Sequence, residues 1–167
     1  MRESDKELGA PSLDPVDRRI LALLQEDART PNAELARRVG LVPSAIFQRL
    51  RKLEKLGVIL GHETRIDPRA VGLGLTAFIF VKADERVGSR ETADRLAKLP
   101  EVQELHHVAG EDCYLVKVRV EDAAGLGKLL REKVGAIRSV RSTRTTIVLE
   151  TIKETGKLPM TTGPMRP

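Results

Sequence analysis

The 167-residue sequence has few aromatic residues and almost no cysteine. It contains no Trp, one Tyr and three Phe, so its core must be built from Leu, Val, Ile and Ala. Proteins that hold single-stranded nucleic acid stack the bases on aromatic side chains, and this sequence offers few such platforms. Its single cysteine, Cys113, excludes an intrachain disulfide and fits a reducing compartment.

Long apolar runs are also missing. The longest, at about residues 73–81, is much shorter than the roughly 20 residues that span a bilayer. The first twelve residues are polar and lack the apolar segment of a secretion signal. The sequence contains no CxxC, HExxH or glycine-rich phosphate loop. We therefore expect a cytoplasmic protein that uses no metal and no cofactor and has no membrane partner.

Charge is distributed unevenly along the chain. The net charge is +5, and the 41% hydrophobic and 32% charged fractions are typical of a soluble globular protein. The segment 37–55 contains a single acid, Glu54, and six basic residues: Arg37, Arg38, Arg49, Arg51, Lys52 and Lys55. A local basic surplus favours an anionic partner.

Three short helices are predicted near the N-terminus. Asp14 followed by Pro15 is typical of a helix start, and Gly40 is typical of the end of a second helix. A three-residue turn then leads to Pro43, which begins a third helix. Val42 takes the position before Pro43, where Ser or Thr would cap better. This spacing predicts a helix-turn-helix.

The third helix has an apolar face and a polar one. Ile46, Leu50 and Leu53 recur at i, i+4 and i+7, so they form the buried face. The opposite face carries Ser44, Gln48, Arg51, Lys52 and Lys55, with Arg49 at its flank. Ser44 and Gln48 could reach base edges, whereas Arg51, Lys52 and Lys55, with Arg37 and Arg38, are suited to DNA phosphates. The alternative is a solvated basic face on an ordinary helical bundle.

After the helices the apolar period changes to that of strands. Residues 58–65 are predicted to form a strand or small hairpin that bends at Gly61, the wing of a winged helix-turn-helix. The remaining elements follow the order β-α-β-β-α-β of a ferredoxin-like domain with an antiparallel sheet, which gives an α+β fold class. The predicted boundaries are a flexible tail at 1–12, the DNA-binding domain at 13–66, a linker at 67–73, the second domain at 74–155 and a flexible tail at 156–167.

One turn between predicted strands could hold a small molecule. At Gly110 the backbone can approach a ligand closely, and adjacent amides can hold a carboxylate, while Glu111 and Asp112 could accept an ammonium group. An ordinary acidic hairpin turn is the alternative, and the residues alone favour it. His106 and His107 are neighbours on a strand, so they point to opposite faces and cannot easily share a metal ion.

Five stretches of this sequence resemble the leucine-responsive regulator family, also called Lrp/AsnC. The resemblance covers roughly residues 13–155. The stretches are 13–21 (LDPVDRRIL), 34–41 (ELARRVGL), 49–59 (RLRKLEKLGVI), 108–115 (VAGEDCYL) and 144–145 (RT).

The resemblance implies a winged helix-turn-helix joined to a ferredoxin-like effector-binding domain. It implies a homodimer, often assembled into a tetramer of dimers, that binds double-stranded DNA and an amino acid near an interface. The DNA contacts implied by the match are Ser44, Gln48, Arg49 and Lys52. The implied effector residues are Val108, Gly110, Glu111, Asp112, Thr145, Thr146 and Ile147. Many relatives carry an acid where this chain has Cys113, which leaves open which acid receives the ammonium group.

Two other functions fit the same architecture. A siroheme decarboxylase resembles this family in fold, and His106 and His107 could serve such an enzyme as acid or anchor for a tetrapyrrole. An architectural DNA-binding protein without an effector differs from a regulator, in sequence, only at the turn of Gly110 to Asp112. Such an enzyme need not keep a basic third helix, and this chain has one. Together with the resemblance, we therefore expect an effector-responsive, nucleoid-associated transcription regulator rather than an enzyme.

Overall fold

The computed structural model describes residues 11–86 and 88–160. The chain divides into two compact units, one of residues up to Thr64 together with those from Thr155 onward, and the other of Arg65–Glu154. Most of the predicted N-terminal tail (1–10) and the last part of the predicted C-terminal tail (161–167) lie outside the described residues. None of the helices within the described ranges is long and apolar enough to cross a membrane.

The first unit contains the three predicted helices. They are α1 (Pro15–Glu26), α2 (Asn32–Val39) and α3 (Pro43–Lys55). The Asp14 carboxylate caps α1 by accepting a hydrogen bond from the Asp17 amide at 2.7 Å. Gly40 ends α2 in the left-handed conformation, with φ of 74°, which a glycine adopts without steric cost. No side chain caps α3, in keeping with Val42 at its N-cap.

The predicted wing hairpin is wrong for the described chain. Residues 58–65 contain no strand, and Leu60 is 94% exposed. A hairpin needs backbone hydrogen bonds across its bend at Gly61. The amides of Val58 and Ile59 instead donate back to the Leu53 carbonyl at the end of α3, so they continue the helix cap.

The second unit has the predicted β-α-β-β-α-β order. Its sheet consists of β1 (Leu75–Ala83), β2 (Val102–His107), β3 (Tyr114–Val120) and β4 (Val140–Ile147) in the antiparallel order β2-β3-β1-β4. The helices on it are α4 (Glu91–Leu96) and α5 (Ala123–Lys128), which continues as π-helical turns through Leu129–Val134. The α+β, ferredoxin-like prediction is confirmed.

Alternation along the central strands places the core on one face of this sheet. The inward side chains Ala77, Ile79 and Val81 of β1 lie beside Val116 and Val118 of β3, and all five are essentially inaccessible. The other face carries longer, half-buried side chains. A period of two residues is what puts every second side chain in the core.

Several boundaries differ from the predicted ones. The predicted linker 67–73 contains a 3₁₀ turn, Pro68–Val71. In the second domain, predicted to span 74–155, the last strand ends at Ile147, and the Val148 amide still donates to the Thr76 carbonyl at 2.9 Å.

The start of the C-terminal segment is not a free tail. The Leu158 amide donates to the side-chain oxygen of Gln25 at 2.6 Å, and the Gln25 side chain donates back to the Leu158 carbonyl at 3.1 Å. Within the flexible tail predicted from residue 156, Leu158 is thus hydrogen-bonded to α1.

Replacing Ile46 should destabilise the first unit. Its side chain is fully buried, so Ile46→Ala should cost about 2–5 kcal/mol through lost burial and a residual cavity. Leu56→Ala is the matched control, since Leu56 is 45% exposed and its truncation should cost much less. Urea unfolding followed by circular dichroism measures both. Equal losses would contradict the assignment of the buried face.

Candidate nucleic-acid interface and effector turn

The outward face of α3 is polar and accessible, as predicted. Ile46 and Leu53 are fully buried, so the helix presents its other side to solvent. The predicted residues on that side, all exposed, are Ser44, Gln48, Arg51, Lys52 and Lys55. They recur at i+4, i+7, i+8 and i+11 from Ser44 and therefore form one continuous face, which we call the α3 outer face.

Arg49 does not belong to this face. Its Nη1 donates to Asp14 at 2.5 Å and to Asp17 at 2.6 Å, and its side chain is 28% exposed. The Asp17 side chain is 1% exposed. Arg49 binds its Oδ1 atom, and its Oδ2 atom has no hydrogen-bond partner among the described residues. Because a buried carboxylate needs a charge partner, Arg49 ties α3 to the start of α1. Two carboxylates thus hold Arg49, and its contact with DNA stays a prediction.

Arg37 and Arg38 are exposed at the end of α2 but share one acid. Arg37 donates to the Glu34 carboxylate at 2.9 and 2.7 Å, and Arg38 donates to it at 2.8 Å. Hydrogen bonds from Arg37 and then Arg38 lower the pKa of Glu34 to about 2. The acid thus stays ionised at neutral pH, and a DNA phosphate has to compete with it for these arginines.

Phe47 is the residue of the α3 outer face that the sequence reasoning missed. Its ring is 47% exposed, and the Arg51 guanidinium lies 5.6 Å from the ring centroid. A cation at this distance over a ring is attracted by it. Position 47 lies at i+3 from Ser44, so helical spacing could have placed it on this face.

In the second unit, the predicted effector turn joins β2 to β3. The Val108 amide donates to the Cys113 carbonyl at 3.0 Å, and the Cys113 amide donates to Val81 at 2.9 Å. Gly110 has φ of 139°, a conformation that side chains with a Cβ rarely adopt. Glu111 is exposed, and it forms no ion pair with any described residue.

Arg144 connects this turn to β4. Its Nη2 donates to Asp112 at 3.2 Å, and its guanidinium lies 3.9 Å from the Phe80 ring centroid. One of the two predicted ammonium acceptors is therefore already paired with a cation, which leaves Glu111 as the acid without one. In the sequence, the signal for this contact was a basic residue next to Thr145 on an exposed strand.

Thr145, Thr146 and Ile147 are not brought to the turn within one chain. They pair with Ile79, Phe78 and Ala77 of β1, and β1 separates them from β3. Two strand spacings amount to about 10 Å, and these residues also lie progressively farther from the β1 end that contacts the turn. Ile147 is 44% exposed and Thr146 is exposed.

The two histidines have separate surroundings. The His107 ring lies 5.3 Å from the ring of Tyr114, and His106 Nε2 lies 3.4 Å from the Glu104 carboxylate. The half-buried Cys113 thiol contacts the backbone of Ala83 at 3.5 Å. No group of three or more potential metal ligands occurs within the described part of the chain.

Comparisons with known proteins match both units. Residues 13–59 match the family described as winged helix-turn-helix DNA-binding, and residues 76–158 match the Lrp/AsnC ligand binding domain. The chain is 39% identical over 152 residues to the HTH-type transcriptional regulator AldR of Mycolicibacterium smegmatis, which covers 90% of this chain and 89% of the relative. It is 36% identical over 162 residues to the leucine-responsive regulatory protein of Escherichia coli K12, covering 95% and 97%.

Solved structures are similar over most of the chain. A transcriptional regulator of Neisseria meningitidis in complex with L-Met has a TM-score of 0.83 at 34% identity, covering 89% of this chain and 97% of that one. The feast or famine regulatory protein of M. tuberculosis complexed with L-methionine has a TM-score of 0.81 at 37% identity, covering 88% and 99%.

Substituting Arg49 should lower the free energy of unfolding. Arg49→Met leaves the buried Asp17 carboxylate without its cation, which should cost about 1–3 kcal/mol or more in urea unfolding. Adding Asp17→Asn should recover part of this loss, because the buried charge is then gone.

The same contacts predict a pH dependence. Burial raises the pKa of Asp14, but hydrogen bonds from the Asp17 amide and Arg49 outweigh it, so the net shift is downward. Its stabilising contribution is complete above the ordinary value of 3.8 and is lost as the pH falls below it. Arg49→Met should flatten this acid loss. An unchanged stability of Arg49→Met at pH 7 would contradict the structural role.

Proposed function

This chain belongs to the Lrp/AsnC family of transcriptional regulators, and we propose that it binds operator DNA through the α3 outer face and changes that binding when an amino acid occupies its second unit. It is a helix-turn-helix regulator with an effector-responsive ligand-binding domain. The residues assigned to DNA and those assigned to the turn of Gly110 belong to different units of the chain.

One observation carries the DNA-binding assignment. The cations Arg51, Lys52 and Lys55 form no ion pair with any described residue, whereas Arg37, Arg38 and Arg49 do. Unpaired cations on an exposed helix can neutralise phosphates and release counterions without first breaking a protein contact. Ser44 and Gln48, nearer the helix start, reach base edges, since the N-terminal residues of a recognition helix make those contacts.

The effector is proposed to be an amino acid bound at the turn of Gly110. Two of the similar structures contain methionine. Glu111 supplies a carboxylate for the α-ammonium group, and the α-carboxylate competes with Asp112 for Arg144. Thr145, Thr146 and Ile147 do not lie beside this turn in the same chain. This arrangement fits a site completed by a second copy of the chain.

Assembly and location follow from the same proposal. We propose a homodimer that assembles further into a tetramer of dimers and acts in the cytoplasm, associated with the nucleoid, with no cofactor beyond the effector. Two recognition helices related by a dyad favour a roughly palindromic operator with half-sites about one DNA turn apart. The effector acts by binding one assembly or interface geometry more tightly than another.

The non-enzymatic assignment rests on the named relatives. They are transcriptional regulators over nearly the whole of this chain. A siroheme decarboxylase would need His106 or His107 at a tetrapyrrole site, and each has its own neighbour, Glu104 or Tyr114. No observation favours that function or a DNA-packing protein without an effector.

Removing cations from the α3 outer face should flatten the salt dependence of DNA binding. Each phosphate contact contributes about 0.9 to the slope of log K against log salt, so Lys52→Ala with Lys55→Ala should lower the slope by about 2. Gel shifts or fluorescence anisotropy between 50 and 200 mM salt measure this slope. Over that range, a protein with six or more phosphate contacts loses roughly 10³-fold or more of its DNA affinity.

Lys98→Ala serves as the control, since this exposed lysine lies in the second unit beyond α4. It should leave the slope unchanged, and all variants should keep the wild-type unfolding midpoint. An unaltered slope in the double variant would remove α3 as the DNA-binding element.

An amino acid should stabilise the protein. A ligand at one hundred times its dissociation constant adds about 2.7 kcal/mol, which a thermal-shift screen of the twenty amino acids detects. Gly110→Val should abolish the shift, because its φ of 139° disfavours a Cβ at the turn.

Gly88→Val is the matched control, with φ of 86° in a different exposed turn and no atom within 4 Å of the added Cβ. It should cost similar backbone strain but retain the response. If none of the twenty amino acids shifts the midpoint of the wild-type protein, the effector assignment fails while DNA binding stands.

A further inference from the structure

An exposed aromatic ring stands among polar side chains on the α3 outer face. Phe47 is one of only four aromatic residues in the chain. The surrounding face carries Ser44, Gln48 and Arg51, all exposed. Because the ring is 47% exposed, it retains apolar surface that a partner on this face could bury with a gain in free energy.

Phe47 lies in the part of α3 that is proposed to read bases. Residues 44, 47, 48 and 51 lie at i, i+3, i+4 and i+7 along α3 (Pro43–Lys55), so their side chains share one stripe, and the first three lie in the N-terminal half of the helix. The N-terminal part of a recognition helix is the part that enters the major groove. Within the groove the one apolar group that bases present is the 5-methyl group of thymine.

Arg51 also contacts the Phe47 ring. Its guanidinium lies 5.6 Å from the ring centroid, within the range of attraction between a cation and a ring. The contact places a planar donor group, suited to guanine, beside an apolar surface. A side chain ordered before binding loses less conformational entropy on binding.

We propose that Phe47 is a specificity-determining residue that recognises the 5-methyl group of a thymine in each operator half-site. This inference rests on the proposed DNA-binding function of α3 and adds a base identity to it. Ser44 and Gln48 read hydrogen-bonding groups, whereas Phe47 reads the methyl group, so thymine is distinguished from cytosine and also from uracil.

Uracil substitution tests the proposal, because it removes the methyl group and leaves every hydrogen-bonding group of the base. The full-length protein first selects its operator from a pool of randomised duplexes. Each thymine of that operator is then replaced by deoxyuridine, and the dissociation constant is measured. The wild type should bind about fourfold more weakly per half-site at one position, the factor expected for burying one methyl-sized group.

The same series is run with Phe47→Ala. This variant should bind the thymine operator more weakly than the wild type does, but it should bind the thymine and uracil duplexes equally at that position. Phe47→Leu retains an apolar group and should keep part of the discrimination. Because Phe47 is 47% exposed, the unfolding midpoint of these variants should stay near that of the wild type.

Leu56→Ala is the matched control. Leu56 is 45% exposed at the end of α3, beyond the half that reads bases, and its variant should show the wild-type uracil pattern. If the wild type is indifferent to uracil at every position, or if Phe47→Ala keeps the wild-type pattern, the proposal is overturned while DNA binding stands. If the wild type selects no sequence at all, the proposed function itself fails, and this inference with it.

Discussion

The burial of one row of side chains on α3 determines what the first unit can bind. Ile46 and Leu53 are fully inaccessible, and Ile46 packs with Ile20 and Leu35 of the two preceding helices. A helix with one buried stripe has its opposite stripe in solvent. The Arg49 contact with Asp14 and Asp17 reinforces this orientation, because the guanidinium reaches both carboxylates only when that side of α3 faces the start of α1.

Cations in this unit differ in function although they look alike in the sequence. Arg49 neutralises a buried acid, and Arg37 and Arg38 share Glu34. Arg51, Lys52 and Lys55 have no acidic partner among the described residues, so their charge is available to a polyanion. A basic segment therefore contributes fewer free charges to DNA than its composition suggests, and the carboxylates within reach decide which charges remain.

In the second unit, the predicted effector turn lies at one end of the sheet. The turn is tied to β1 by the Cys113 amide and to β4 by the Arg144 contact with Asp112. The threonines of β4 lie beyond β1, about two strand spacings away. One chain thus presents the acids and the arginine together, whereas Thr145 and Thr146 lie on the far side of β1.

The order of the elements, the helix-turn-helix, the buried face of α3 and the ferredoxin-like topology could all be predicted from the sequence, because periodicity and local start and stop residues encode them. The residues themselves indicated the basic face of α3 and the turn of Gly110, and the resemblance added Thr145, Thr146 and Ile147 to the predicted effector residues. What the sequence left open depends on residues far apart in the chain. Arg49 meets Asp14 and Asp17 across more than thirty positions, Arg144 meets Asp112 across β1, and the segment 58–65 lacks a strand partner. Local patterns determine which face of an element is buried, whereas only the packed fold determines which charges meet on it.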